Sequence, residues 1–251
     1  MAGQTKPKNK QERRAMKTGG RILGEILAAT YERVQPGITT AELNRFVKEK
    51  MEEYRVEPAF LGYYGFPGHA CMSVNEELIH GIPGDTVLKD GDLFSIDCGL
   101  IYDGMALDSA RTIPVGTISE EAHSLVEVTN SSLHEGLHVL RAGESIGTYG
   151  AVVEAYVLEH GLGLVRDYCG HGIGYSVHET PNIPNYGERD KGMQLEEHMT
   201  VALEPMVTAG RAEVVVENDD WTVRTQDRSL SAHVEHTVLI TKQGAEILTT
   251  A

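Results

Sequence analysis

Asp103-Gly104 constrains this chain more than any other pair of residues. An Asp-Gly step between two strand-like runs is the strongest short-range signal for a β-hairpin. Here it separates residues 93–102 (LFSIDCGLIY) from residues 105–115 (MALDSARTIPV). A two-residue loop fixes the register, because opposed residues must then have numbers that sum to 207. Asp97 faces Ala110, and Asp108, two residues from Ala110, lies on the same face as Asp97. Diagonal neighbours of this kind are about 7–8 Å apart by backbone position, so their side chains can converge on one point. Two carboxylates converging on a half-buried face repel each other. Either they share a proton or a cation, or one of them turns to solvent.

Further titratable residues stand in similar places. Gly170-His171-Gly172-Ile173-Gly174 places a histidine in a glycine-rich turn after a strand expected over 162–169, where another backbone or a substrate can approach closely. His178-Glu179 follows. Residues 199–207 read as an apolar strand interrupted by Glu204-Pro205, and residues 231–240 as another interrupted by Glu235-His236. A strand glutamate ordinarily faces solvent, and one held inside needs a partner. His80 lies in His80-Gly81-Ile82-Pro83 after a polar turn. As a set, one imidazole and four carboxylates form an oxygen-rich group suited to two divalent cations sharing bridging carboxylates. The three cysteines, Cys71, Cys98 and Cys169, are widely spaced and form no CxxC. They suggest neither a structural zinc site nor a disulfide framework, and they fit a reducing cytoplasm.

Around these residues the chain alternates helices and strands. Period-3.6 patterning runs from about Glu12 to Tyr31 and ends at Pro36-Gly37. Thr39 and Glu42 form a capping box for a second helix. Strand-like segments follow. From Ser119 the pattern restarts, with one helix ending near a C-cap at Gly143 and another over 145–161. More strands fill 162–250. The order helix-helix-strands, twice, predicts an α+β fold of two similar halves in one domain.

Composition excludes several classes. At 251 residues with 41% hydrophobic and 24% charged side chains, the chain suits a soluble globular protein. No run approaches the ~20 apolar residues of a membrane helix, and the N-terminus lacks a signal-peptide core. The net charge of −15 argues against a general nucleic-acid binder. Residues 1–21 nevertheless carry seven basic side chains and one acid. Residues 1–10 are expected to form a flexible basic arm, either simply solvated or docking on an anionic surface such as ribosomal RNA. Residues 11–251 are expected to form a single domain.

Taken in order, these motifs resemble the methionine aminopeptidases of the type I, bacterial class, over about residues 10–249. The resemblance rests on Pro36-Gly37-Ile38-Thr39-Thr40, Ser73-Val74-Asn75-Glu76, His80-Gly81-Ile82-Pro83, Gly91-Asp92, Ile96-Asp97, Gly170-His171-Gly172-Ile173-Gly174, His178-Glu179, Glu204-Pro205, Ser229-Leu230-Ser231-Ala232 and Glu235-His236-Thr237. It implies the pita-bread fold, with two pseudo-symmetric helix-helix-strand halves around a curved antiparallel sheet. It also implies two divalent ions (Co, Mn, Fe or Zn), with Asp97 on one, His171 and Glu204 on the other, and Asp108 and Glu235 bridging.

The implied activity is removal of the N-terminal methionine from nascent or newly made proteins whose second residue is small, by a metal-activated water. Glu204 would shuttle the proton, His178 would stabilise the oxyanion, and His80 would hydrogen-bond the scissile amide or assist the leaving amine. Tyr63, Phe66, Cys71 and Trp221 would line the methionine pocket, with Phe60 and Val177 beside them. A cysteine often stands at the Phe60 position in the family and a phenylalanine at the Val177 position, so this pocket is expected to be reshaped. Met1-Ala2 would make the chain a substrate for its own activity. The implied partners are nascent Met-peptides and, through the basic arm, the ribosome surface. A cytoplasmic monomer is expected. The short N-terminus leaves no room for the extra domain of prolidases. A relative of this fold that had lost catalysis would be expected to lack some of the five ligand residues, and all five are present.

Overall fold

The computed structural model describes residues 3–251. Among these, four α-helices precede and divide the strands as the patterning predicts: α1 (Lys10–Tyr31), α2 (Thr40–Tyr54), α3 (Glu120–Val139) and α4 (Ile146–Glu159). Each begins at a side-chain cap. Asn9 caps α1 in a capping box with Glu12, Thr39 caps α2 in one with Glu42, and Ser119 and Ser145 cap α3 and α4. These side chains satisfy backbone N–H groups that a helix start leaves unpaired. Gly143 is not the C-cap of α3. Leu140 ends that helix in an extended conformation, and Gly143 (φ +92°) turns the chain two residues before the Ser145 cap. None of the four helices is long and apolar enough to cross a membrane.

The hairpin has the register that the two-residue loop dictates. Strands Leu93–Tyr102 and Met105–Pro114 pair antiparallel from Leu93↔Pro114 to Tyr102↔Met105, with Asp97 opposite Ala110. Asp103 (φ 52°) and Gly104 (φ 75°) both take the left-handed conformation that a twist-matched two-residue turn requires. Glu57–Pro58 and Cys71–Val74 pair on the other edge of Leu93–Tyr102. In the second half, five antiparallel strands run in the order Ala245–Ile247, His236–Ile240, Thr200–Leu203, Gly170–Gly172, Glu179–Ile183. With α1 and α2 serving the first half and α3 and α4 the second, this is the pita-bread fold.

The two halves meet where the site forms. Ala110 and Glu235 exchange backbone hydrogen bonds (3.3 and 2.8 Å). The Thr237 hydroxyl accepts from Asp108 N (3.0 Å) and donates to Asp108 O (2.8 Å). Each half builds a core of its own, with Leu239 and Leu248 joining the first and Leu93 the second. Met16, Leu23, Ile26, Leu43, Val47 and Phe94 are buried in the first, and Leu125, Leu133, Tyr149, Val153, Val201 and Val238 in the second. Burial of each such side chain stabilises the fold by about 1.5–3 kcal/mol.

Two further expectations need correction. The strand expected over 162–169 shrinks to Gly163–Leu164, because Arg166 and Asp167 keep the following segment at the surface. His171 therefore lies within a strand rather than in a turn after one. Its glycines allow close backbone approach there: a Cβ on Gly170 would come within 2.4 Å of Ala202 O.

The second correction concerns residues 1–10. Met1-Ala2, including the expected self-cleavage point, lies outside the described residues. Residues 4–8, however, are no solvated arm. Gln4 bridges to Thr180, and Thr5 N donates to Thr180 O (2.7 Å). Lys8 is fully buried, its Nζ 3.7 Å from Glu179 Oε2 and over the Tyr175 ring. Glu179 Oε1 in turn accepts from the backbone N–H groups of Tyr175 and Ser176, which shapes the loop before His178. Removing one member of a buried ion pair leaves an uncompensated charge. Lys8→Met is expected to lower unfolding stability by about 3–5 kcal/mol in urea titration. The double variant Lys8→Met/Glu179→Gln should recover part of that loss. An additive double variant would contradict the pairing.

Candidate metal centre

The strands converge on one buried cluster. Asp97 projects from the centre of Leu93–Tyr102 and Asp108 from the returning strand. His171 comes from Gly170–Gly172. Glu204 falls in the gap between Thr200–Leu203 and Met206–Thr208, where Pro205 cannot donate to a ladder. Glu235 falls in the matching gap between Ser231–His233 and His236–Ile240. Both interruptions noted in the sequence are thus real breaks in strands, and each presents a carboxylate. Asp108, His171, Glu204 and Glu235 are all buried.

The structure brings all five together, plus one residue that sequence reasoning missed. Ligand atoms of Asp108, His171 and Glu235 lie within 4.8 Å of one another, as do those of Glu204, His233 and Glu235. His171 Nε2 is 3.4 Å from Glu204 Oε1. Two donors bound at about 2.0–2.2 Å to one ion at a near-tetrahedral angle stand about 3.3–3.6 Å apart. The His171–Glu204 spacing fits that figure and is too long for a strong hydrogen bond. Oxygen atoms of Asp97 (Oδ1), Asp108 (Oδ1) and Glu235 (Oε1) are buried without a hydrogen-bond partner, which is costly unless something positive satisfies them.

Electrostatics support the same reading. Burial pushes the carboxyls of Asp108, Glu204 and Glu235 well above the usual carboxylate range. Asp97 is raised to about 6, again mainly by burial. Four acids in one dry cluster, each resisting ionisation, are what a divalent cation would relieve. His171 is depressed to about 3 by burial and by His178, so its ring is neutral. Its Nδ1 lies 3.0 Å from the Gly172 carbonyl. A proton on Nδ1 leaves the Nε2 lone pair aimed at Glu204, an arrangement common to metal-binding histidines.

Above the cluster opens one cavity. Phe60, Tyr63, Tyr64, Phe66, Cys71 and Trp221 form its wall. Asp97, Asp108, His171, Glu204, Glu235, His80 and His178 complete the lining. Val177 packs in the same apolar group as Phe60, Phe66 and Cys71 but stands behind the wall and does not line the cavity. Phe66 and Trp221 meet edge to face. Tyr64, unanticipated, is 86% exposed at the cavity's edge and has φ 49°. Its only sequence signal is adjacency to Tyr63. His178 Nδ1 pairs with the Tyr63 hydroxyl at 2.9 Å, and burial lowers its pKa. His80 is held in a left-handed conformation (φ 59°) beside Tyr168 and Trp221, its pKa lowered to about 4 by burial and by His233.

The arrangement defines a class: a divalent-metal hydrolase site under an apolar specificity pocket. Residues 14–242 match metallopeptidase family M24, and the chain belongs to that family. Within it, the chain is 46% identical to the methionine aminopeptidase of Clostridium perfringens, across 96% of this chain and 97% of that one. It is also 46% identical to methionine aminopeptidase 1 of Bacillus subtilis, across 91% and 94%. The crystal structure of methionine aminopeptidase from Thermotoga maritima superposes with a TM-score of 0.97 at 40% identity, covering 98% of this chain and all of that one.

Proposed function

We propose that this protein removes the N-terminal methionine from newly made chains whose second residue is small. The observation that carries the reading is the convergence of Asp97, Asp108, His171, Glu204 and Glu235 at the floor of a single aromatic-walled cavity. The relatives' shared name supports the substrate class. Two divalent ions would be held there by Asp97, Asp108, His171, Glu204 and Glu235. Bound ions of this kind lower the pKa of a water and polarise a carbonyl.

The chain's own residues do the rest. Phe60, Tyr63, Phe66, Cys71 and Trp221 receive the methionine side chain and exclude water from it. With the Tyr63 hydroxyl donating a hydrogen bond to His178 Nδ1, the ring proton would sit on Nε2. That N–H donates to the scissile carbonyl oxygen as negative charge develops on it. Glu204 accepts the proton of the attacking water and returns it to the leaving amine. His80, neutral because it is buried, hydrogen-bonds the scissile amide. The basic side chains Lys10, Arg13, Arg14, Lys17 and Arg21 share one surface of α1, which supports contact with ribosomal RNA phosphate. The enzyme works as a cytoplasmic monomer.

Apo-protein titrated separately with Co, Mn, Fe and Zn salts should regain hydrolysis of Met-Ala-Ser and leave Ala-Pro peptides intact. Preferred cleavage of Ala-Pro would sink the substrate assignment. His178→Ala and His80→Ala should keep their metal content by elemental analysis yet lose about 10²–10³-fold in kcat. Wild-type rates in both variants would remove these two histidines from the mechanism.

A further inference from the structure

His233 has no part in the reaction above, yet it is built into the same cluster. Its side chain is 2% exposed, and neither ring nitrogen has a hydrogen-bond partner. An imidazole buried with both nitrogens unpaired is unfavourable unless something else satisfies them. Nε2 stands 3.5 Å from Glu204 Oε2. That separation is beyond an ordinary N–H···O hydrogen bond. It falls inside the spacing of about 3.3–3.6 Å expected for two donors on one ion. His171 approaches the other oxygen of Glu204 at 3.4 Å, so the carboxylate has one imidazole at each end.

The ring's position is not incidental. His233 N donates to Thr112 Oγ1 (2.8 Å), and the same hydroxyl donates to His233 O (3.0 Å). These bonds clamp the residue to the Asp108 strand. One ligand atom each of His233, Glu204 and Glu235 lies within 4.8 Å of the other two.

We propose that His233 is a sixth protein ligand of the centre, its Nε2 binding an ion together with Glu204 and Glu235. This rests on the reading of the cluster as a divalent-metal site. The added nitrogen makes the centre softer than one imidazole and four carboxylates would be. Neutral imidazole suits Zn, Fe and other later transition metals better than Mn, which favours oxygen ligands.

Cobalt(II) alone is the probe. The Co(II)-loaded wild type in H₂O should show two exchangeable imidazole N–H protons with large paramagnetic shifts by proton NMR, one from His171 and one from His233. His233→Gln should retain only the His171 signal. By calorimetry, His233→Gln and His233→Ala should bind one Co(II) at least ~10-fold more weakly, with a smaller loss for Mn(II). A single shifted N–H in the wild type would overturn the proposal, and this result needs no variant to be stable. Unaltered Co(II) affinity in both variants would also overturn it while leaving the five-ligand centre standing. Failure of the wild type to bind Co(II) at all would overturn both.

Discussion

Glu204→Gln should lower kcat/KM on Met-Ala-Ser by about 10³-fold or more while leaving the protein folded. The substitution keeps the volume of a side chain that is 11% exposed, and Asn185 bonds its backbone carbonyl rather than its carboxylate. It removes two things together: an anionic partner for the cation beside His171 and the acceptor for the water's proton. Loss of a positioned acid–base group alone costs about 10²–10⁴-fold. The same variant carries an opposite signature in stability. Glu204 is an acid pushed well above its ordinary range by burial, so its ionised form opposes folding near neutral pH when no cation is present. Chelated Glu204→Gln should therefore melt higher than chelated wild type at pH 7.5. Turnover within tenfold of wild type would refute the assignment of Glu204. An unchanged or lower melting point would refute the electrostatic account of the cluster.

That opposition between activity and apo stability explains what can be read from the sequence. The Asp97–Asp108 face is legible because a two-residue turn leaves a single register, and the pairing of Asp97 with Ala110 shows no bulge. Glu204 and Glu235 are legible as anomalies, charges set in apolar runs. Local rules mark both as interruptions of strands but cannot say that the two carboxylates converge, because they converge where the two halves meet, as at Ala110 and Glu235. His171 reads as a turn residue because glycines favour turns. Here they serve instead to let Ala202 and Thr180 carbonyls press against a strand. Lys8 looks like one charge in a solvated basic run, and only Glu179, distant in sequence, explains its burial. His233 leaves a weak trace, two residues before Glu235. A histidine in a short strand is ordinary, and the clamp through Thr112 that aims it belongs to the other half of the fold.

Removing metal should change how stability depends on pH. Asp97 carries a folded pKa of about 6 against an unfolded value near 3.9, so the folded apo-protein binds the extra proton between those values. Folding stability from this group falls as pH rises through that window and stays lower above it. Asp108, Glu204 and Glu235 are raised in the same direction and extend the loss to higher pH. The buried histidines act oppositely. His80 (about 4) and His171 (about 3) are depressed below the unfolded value near 6.5, so their contribution is present above 6.5 and is lost as pH falls through 6.5 toward 3–4. Above pH 7 the histidine contribution is flat, and the slope is set by the carboxylates together with the thiols of Cys71, Cys98 and Cys169, which burial also raises. The thiol contribution is common to both forms, so between pH 7 and 8.5 the apo-protein should lose more stability than the metal-loaded protein. A group whose folded and unfolded pKa values differ tenfold in acidity contributes about 1.4 kcal/mol. A chain of this size loses roughly 2–4 °C per kcal/mol, so the apo form should melt at least ~5 °C below the loaded form at pH 8. Thermal melts with and without chelator at pH 6, 7 and 8 measure this directly. Parallel curves would mean that the four acids do not share one cation-dependent cluster. A gap that widens with pH, and narrows in Glu204→Gln, would tie the stability of the fold to the same carboxylates that hold the ions.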